Sequence, residues 1–256
     1  MTTTLIVLAH PDPGSFNGAW AGASAQACRA LGHDVLVSDL CAMGFDAVEG
    51  RPHFPGYAAD RPFDPLMAQE EAVGTGTIPA DVAGEIDKLR RADLVILHFP
   101  LWWFAPPAVL KGWFDRVLLH GALHTVDRRF DSGSCRGKKA LFCVTTGASA
   151  AESGPDGNGG DIDLLLWPTA YTLRYLGFAV YQPAPVHSVH GYFEGAEGQA
   201  LRTRLAGVLK GQQALLGGLQ NRPLMAFNAD GDFGLDGRLR PDSPSHSPFI
   251  RHQADT

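Results

Sequence analysis

Three short segments carry residues whose types and spacing suit chemistry. Residues 93–116 read DLVILHFPLWWFAPPAVLKGWFDR. The run Val95–Ile96–Leu97 is apolar throughout, as expected of a strand covered on both faces. Pro100 stops that strand, and Trp102, Trp103 and Phe104 follow at its carboxyl end, where open α/β sheets bind ligands. Three aromatics there suit a planar, π-rich ligand; the plain alternative is a junction packed with core aromatics. Pro106 and Pro107 fit the first turn of the next helix, where a missing N–H has no partner to lose. A second segment, LAHPDPGSFNGAW, ends the first strand. Gly14 permits a tight turn, and Ser15 is an N-cap for a helix beginning at Phe16 or Asn17. Free N–H groups and the dipole at such a terminus favour a phosphate, although a capped helix needs no ligand to be there. The segment is neither G-x-G-x-x-G nor a Walker loop. A third, FCVTTGASAAESGPDGNGGD, runs from a buried strand into a turn at Thr145, Thr146 and Gly147. That turn presents backbone N–H groups, the Gly-rich 154–160 stretch reads as a mobile flap, and Asp161 caps the following helix.

These segments need a frame to bring them together. Apolar runs near 4–9, 34–38, 93–98, 139–145 and 178–181 read as strands. Helix-period segments near 15–31, 80–91, 106–119, 162–176 and 194–217 alternate with them. The pattern is an α/β fold: a flavodoxin-like, doubly wound, five-stranded parallel sheet of order 2-1-3-4-5 over residues 1–217. Residues 41–78 form a long insertion rich in Pro, Gly and aromatics, without clear structure of its own. Residues 218–256 form a polar extension expected to pack on a neighbouring surface. In this frame all three segments reach the carboxyl edge of one sheet. Phosphate-type contacts, aromatic faces and backbone donors together suit a flavin.

Composition narrows the class. The chain has 256 residues, 45% hydrophobic and 19% charged, with a net charge of −6. The acidic balance argues against nucleic-acid and anionic-membrane partners. The opening MTTTLIVLAH is a strand lacking a basic n-region, not a signal peptide. The apolar window 94–110 contains His98 and three prolines, which excludes a membrane span. Cys28, Cys41, Cys135 and Cys143 have no C-x-x-C or zinc spacing and are expected to be reduced thiols of a cytoplasmic protein.

LAHPDPGSFN, ADLVILHFPLWWFAPPAVLKGWFDRVL, VTTGASA and GGDIDLLLWPTAYTLRYLGF together resemble, in order, the motifs of the NAD(P)H:quinone oxidoreductase family. The resemblance covers roughly residues 4–190. It implies a homodimer with FAD, rather than FMN, at the subunit interface. It also implies NAD(P)H as co-substrate and two-electron ping-pong transfer to a quinone-like acceptor. Carried over by position, His10, Ser15, Phe16 and Asn17 would hold the FAD phosphates and ribose. Pro100, Leu101, Trp102, Trp103 and Phe104 would carry the flavin ring, and Thr145, Thr146, Gly147 and Ala148 would meet its polar edge. Trp103, His124 and, from the other subunit, Tyr175 would line the substrate pocket. Lys111 and Asp115 match the family pattern and are read as structural.

One departure matters. Counting from Thr145, the family's relay Tyr and His positions hold Ser153 and Gly159. That leaves azo, nitro and other electrophilic acceptors open beside quinones, with His124 as the candidate proton donor. It also keeps open a non-catalytic flavoprotein, such as the regulatory subunits of potassium-efflux systems that resemble this family. A zinc-dependent N-deacetylase is a third reading, resting on AHPD and the H-x-x-H of His187 and His190. Pro13 and Gly14 stand where its further carboxylates belong, leaving too few to bind zinc and activate water.

Overall fold

The computed structural model describes residues 1–253; the last three positions of the 218–256 extension lie outside it. The sheet is built from β1 (Thr3–Leu8), β2 (Asp34–Asp39), β3 (Leu94–Pro100), β4 (Lys139–Thr145), β5 (Ala179–Val180) and β6 (Ala184–Val186). Its order is β2-β1-β3-β4-β5, all parallel, and β6 pairs with β4. Lys139 and Ala140 of β4 face β5, and Cys143–Thr145 face β6. The two short strands thus occupy one position in the sheet, and order 2-1-3-4-5 stands. What separates them is Tyr181, Gln182 and Pro183, and the carbonyls of the last two both accept from Arg222. β6 is absent from the sequence reading because it is three residues long and contains Pro185, which suits an edge.

Six α-helices are formed among the described residues: α1 (Phe16–Ala30), α2 (Pro65–Thr75), α3 (Ala80–Arg91), α4 (Ala108–Val117), α5 (Ile162–Tyr175) and α6 (Gly195–Gly217). Alternation along the strands divides the core. Leu5, Val7, Val95, Leu97 and Phe99 pack with Ile86, Leu89, Trp113 and Leu166 on one face. Ile6, Leu8, Leu94, Ile96, Leu141 and Cys143 pack with Trp20, Cys28 and Leu216 on the other. α1 and α6 are tied by polar groups as well. Trp20 Nε1 donates to Gln212 Oε1 (2.8 Å), Gln212 Nε2 donates to Ser24 Oγ (2.7 Å), and Ser24 Oγ bonds His98 Nε2 of β3 (2.9 Å). Burial holds the His98 imidazole neutral, its pKa pushed down to about 3, and pushes the neighbouring Cys143 thiol up to about 12.

Two expectations need correction. Residues 41–78 are not structureless: Asp64 caps α2, with Pro65 at its first position and Gly76 in the left-handed conformation that ends it. Phe54, Tyr57, Ala68 and Ala72 give this insertion its own small core. It is anchored by Arg116 of α4, 1% exposed, which donates to the Asp46 carbonyl (2.8 Å), Asp81 Oδ2 (2.8 Å) and His53 Nδ1 (3.1 Å). Pro106 and Pro107 lie before α4 rather than within its first turn, with Pro107 at the N-cap. No helix among the described residues is long and apolar enough to cross a membrane.

Candidate functional site

The site grows from three strand ends. At the end of β1, Ser15 caps α1 by accepting from the Gly18 N–H (3.1 Å), which leaves the N–H groups of Phe16 and Asn17 without intrahelical acceptors. His10 Nδ1 accepts from the Asp12 N–H (3.1 Å), and its ring meets Trp102 at 5.8 Å. Asn17 is buried; its Nδ2 donates to Thr145 Oγ1 (2.8 Å), and its Oδ1 has no partner.

At the end of β3, Leu101 N–H donates to the Thr145 carbonyl (2.7 Å), and a tight antiparallel bridge joins Trp102 to Ala105. Trp103 and Phe104 sit at its tip with φ of 50° and 63°, a region that bulky residues rarely enter. They are 94% and 59% exposed, and Trp102 is 45% exposed. Strain of about 1–3 kcal/mol per residue is the typical cost of such backbone, and it concentrates where ligands are clamped. Here the strained residues hold out aromatic faces.

At the end of β4, Thr145 lies in the strand and Thr146, Gly147 and Ala148 leave it. Sequence reading missed the segment after β6. Ser188 N–H donates to the Ala148 carbonyl and Val189 N–H to Thr146 (both 2.9 Å), while Thr146 N–H donates to Val186. The 187–190 loop therefore braces the third segment; its only sequence signal was the His187/His190 pair. Among the described residues no three His, Cys, Asp or Glu side chains gather as a metal site.

The Gly-rich 154–160 stretch is a pinned turn rather than a flap. Gly159 N–H donates to Glu152 (2.8 Å), Gly157 to Gly154 (3.0 Å) and Ile162 to Ser153 (3.0 Å). A Cβ at Gly157 would lie 2.2 Å from the Glu152 carbonyl oxygen, and one at Gly159 2.8 Å. No side chain fits at 159 in this packing, and Ser153 is buried. Asp161 caps α5 as expected, accepting from Asp163 N–H.

Beside the aromatic turn lies a cavity of about 890 Å³, walled by Phe104, Leu118, His124, Trp167, Tyr171 and Tyr175 among others. His124 and Tyr175 stand together within one chain, ring centroids 5.3 Å apart, whereas Trp103 is outside this wall. Lys111 and Asp115 pair with each other on α4 and also line it. Gln69 comes from the insertion, and Phe249 of the extension stacks on Trp167 at 4.8 Å. Neither was legible as a site residue, because tertiary packing alone brings them here. Burial, then the neighbouring His120, hold the His124 pKa below the usual imidazole range, opposed by the Leu118 carbonyl.

Residues 2–208 match the sequence profile of a family described as having the flavodoxin-like fold. The chain is 40% identical over 191 residues to NAD(P)H dehydrogenase [quinone] 1 of Rattus norvegicus, covering 72% of this chain and 68% of the rat protein. It is 39% identical over 181 residues to the ribosyldihydronicotinamide dehydrogenase [quinone] of Homo sapiens, covering 70% and 78%. A crystal structure from Klebsiella pneumoniae, assigned as a quinone reductase, superposes with a TM-score of 0.84 at 32% identity, covering 96% of this chain and 97% of that one. Fold, strand-end motifs and relatives agree, and the chain belongs to the flavodoxin-like NAD(P)H:quinone oxidoreductase family.

Proposed function

We propose that this protein is a flavin-dependent NAD(P)H:quinone oxidoreductase, using FAD in preference to FMN, and acting on quinones or related electrophilic acceptors. The observation that carries the reading is the strained Trp103–Phe104 turn, which exposes aromatic faces between the capped terminus of α1 and the Thr145–Ala148 turn. The residues present fit a flavin. The free N–H groups of Phe16 and Asn17 suit phosphate oxygens, with His10 and Ser15 beside them. Pro100, Leu101, Trp102, Trp103 and Phe104 form the platform, and the unpartnered Asn17 Oδ1 and the 145–148 backbone offer polar contacts. When bound, a flavin supplies two-electron hydride relay between NAD(P)H and the acceptor. The chain's own share is to bind, to orient, and to shield the cavity, with His124 and Tyr175 meeting the acceptor from its wall and Trp103 from outside that wall. The same reading includes a homodimer, a cytoplasmic location, and one catalytic domain over 1–217 on which 218–256 packs.

The visible spectrum of the purified protein tests this, followed by anaerobic addition of NADH and NADPH. Flavin bands that bleach with either nucleotide support it; a protein that retains no flavin on reconstitution sinks it. A flavin that neither nucleotide bleaches would favour the non-catalytic reading, which Ser153 and the crowded Gly159 keep in view.

A further inference from the structure

Behind His124 lies a second histidine that the reading above leaves unused. His120 is buried, and both its ring nitrogens lack hydrogen-bond partners. Its ring meets that of His124 nearly edge-on, centroids 5.2 Å apart and planes at 68°. The backbone fixes the pair: Gly121 N–H donates to the His124 carbonyl (2.8 Å), and His120 N–H donates to Gln69 Oε1 (3.2 Å). Nδ1 of His124 is also enclosed without a partner. A neutral imidazole carries one N–H, and a buried N–H without an acceptor is costly. The proton therefore belongs on Nε2, the one nitrogen of this ring able to meet the cavity.

We propose that His120 is a positioning residue for His124, keeping it a neutral Nε2–H donor that binds the oxygen of a carbonyl or nitro acceptor in the cavity. Burial first, and then the neighbouring His120, disfavour charge on His124. Of the other groups around the pair only the Leu118 carbonyl favours charge on His124, and burial with His120 outweighs it. Arg128 opposes charge on His124. Lys111 and Asp115 of α4 neutralise each other at the cavity wall. Gln69 of α2 and Tyr175 of α5 are uncharged, and Arg90 of α3 is occupied with the Ala122 carbonyl (3.2 Å). A neutral donor suits an acceptor with an exposed oxygen and has nothing for a cationic head group.

The inference rests on the proposed function only for what fills the cavity. Its test uses the flavin-loaded protein labelled with ¹⁵N-histidine, followed by long-range proton–nitrogen spectra from about pH 5 to 8. His124 is expected as the Nε2–H tautomer, and its midpoint should rise in both His120→Gln and His120→Phe. The ratio of kcat/KM for 1,4-naphthoquinone to that for ferricyanide should fall roughly tenfold in His124→Phe, the size of one hydrogen bond. An Nδ1–H tautomer in the wild-type protein overturns the proposal without any variant. So does a midpoint that neither His120 variant moves, or an unchanged acceptor ratio. Failure of both nucleotides to bleach the flavin would instead sink the functional reading, and the tautomer would still be readable in the same sample.

Discussion

The side-chain amide of Asn17 donates to Thr145 Oγ1 at 2.8 Å, joining the first turn of α1 to the end of β4 across 128 positions of sequence. This bond holds the segments after β1 and at the end of β4 in fixed relation. Asn17→Ala is expected to cost about 1–3 kcal/mol, because it removes a buried hydrogen bond. Flavin retention should fall with it. Thermal melts with and without added FAD check this; an unchanged melt in both would refute the coupling.

Trp103 makes a contrasting case. It is almost fully exposed, so Trp103→Ala should shift stability by less than about 0.5 kcal/mol. Acceptor turnover should nevertheless drop by roughly tenfold, through lost positioning. Equal losses of flavin content and turnover would show that Trp103 serves the cofactor and not the acceptor.

The Arg116–Asp81 pair makes a pH prediction. Burial raises the Asp81 pKa, but hydrogen bonding and charge from Arg116 outweigh it, and the net shift is downward from 3.8. A carboxylate with a depressed folded-state pKa binds protons more readily when unfolded. Its stabilisation is complete above the unfolded value and is lost as pH falls through the folded one. Melts of the wild type should therefore lose stability below about pH 4 by an amount missing in Asp81→Asn. Arg116→Met should cost about 1–3 kcal/mol at neutral pH, against about 0–1 for breaking the exposed Lys111–Asp115 pair.

Gly159→His is expected not to install an imidazole in the pocket but to destabilise the 153–160 turn, since even a Cβ there lies 2.8 Å from the Glu152 oxygen. Gly157→Ala, tighter still at 2.2 Å, should lower stability by about 1–3 kcal/mol. Melting temperatures matching wild type in both would show that the turn yields easily.

Local signals made much of this legible. Ser15 and Asp161 announce their helices because a cap acts within three residues, and 93–100 announces a buried strand because apolar residues fill it. The same logic was available for α2, where Asp64–Pro65 and Gly76 bracket the helix. The surrounding Pro, Gly and aromatics obscured it. Ser153 and Gly159 stand where the resemblance places the family's relay Tyr and His, but only the packing around Glu152 shows why no side chain fits at 159. His120 was invisible as a site residue: nothing in its neighbours' types reveals that its ring would be sealed against His124.

The Trp20–Gln212–Ser24–His98 cluster has a consequence for biosynthesis. Trp20, Ser24 and His98 are all made long before Gln212. At about 5–20 residues per second, a nascent chain spends several seconds with that buried polar set incomplete. An apolar sheet face meanwhile waits for α6. Ribosome-bound chains stalled before Gln212 leaves the exit tunnel should thus expose Trp20 to quenchers and recruit holding chaperones. The strand ends that make the candidate site would then reach their final rigidity only after nearly all of the polypeptide has emerged.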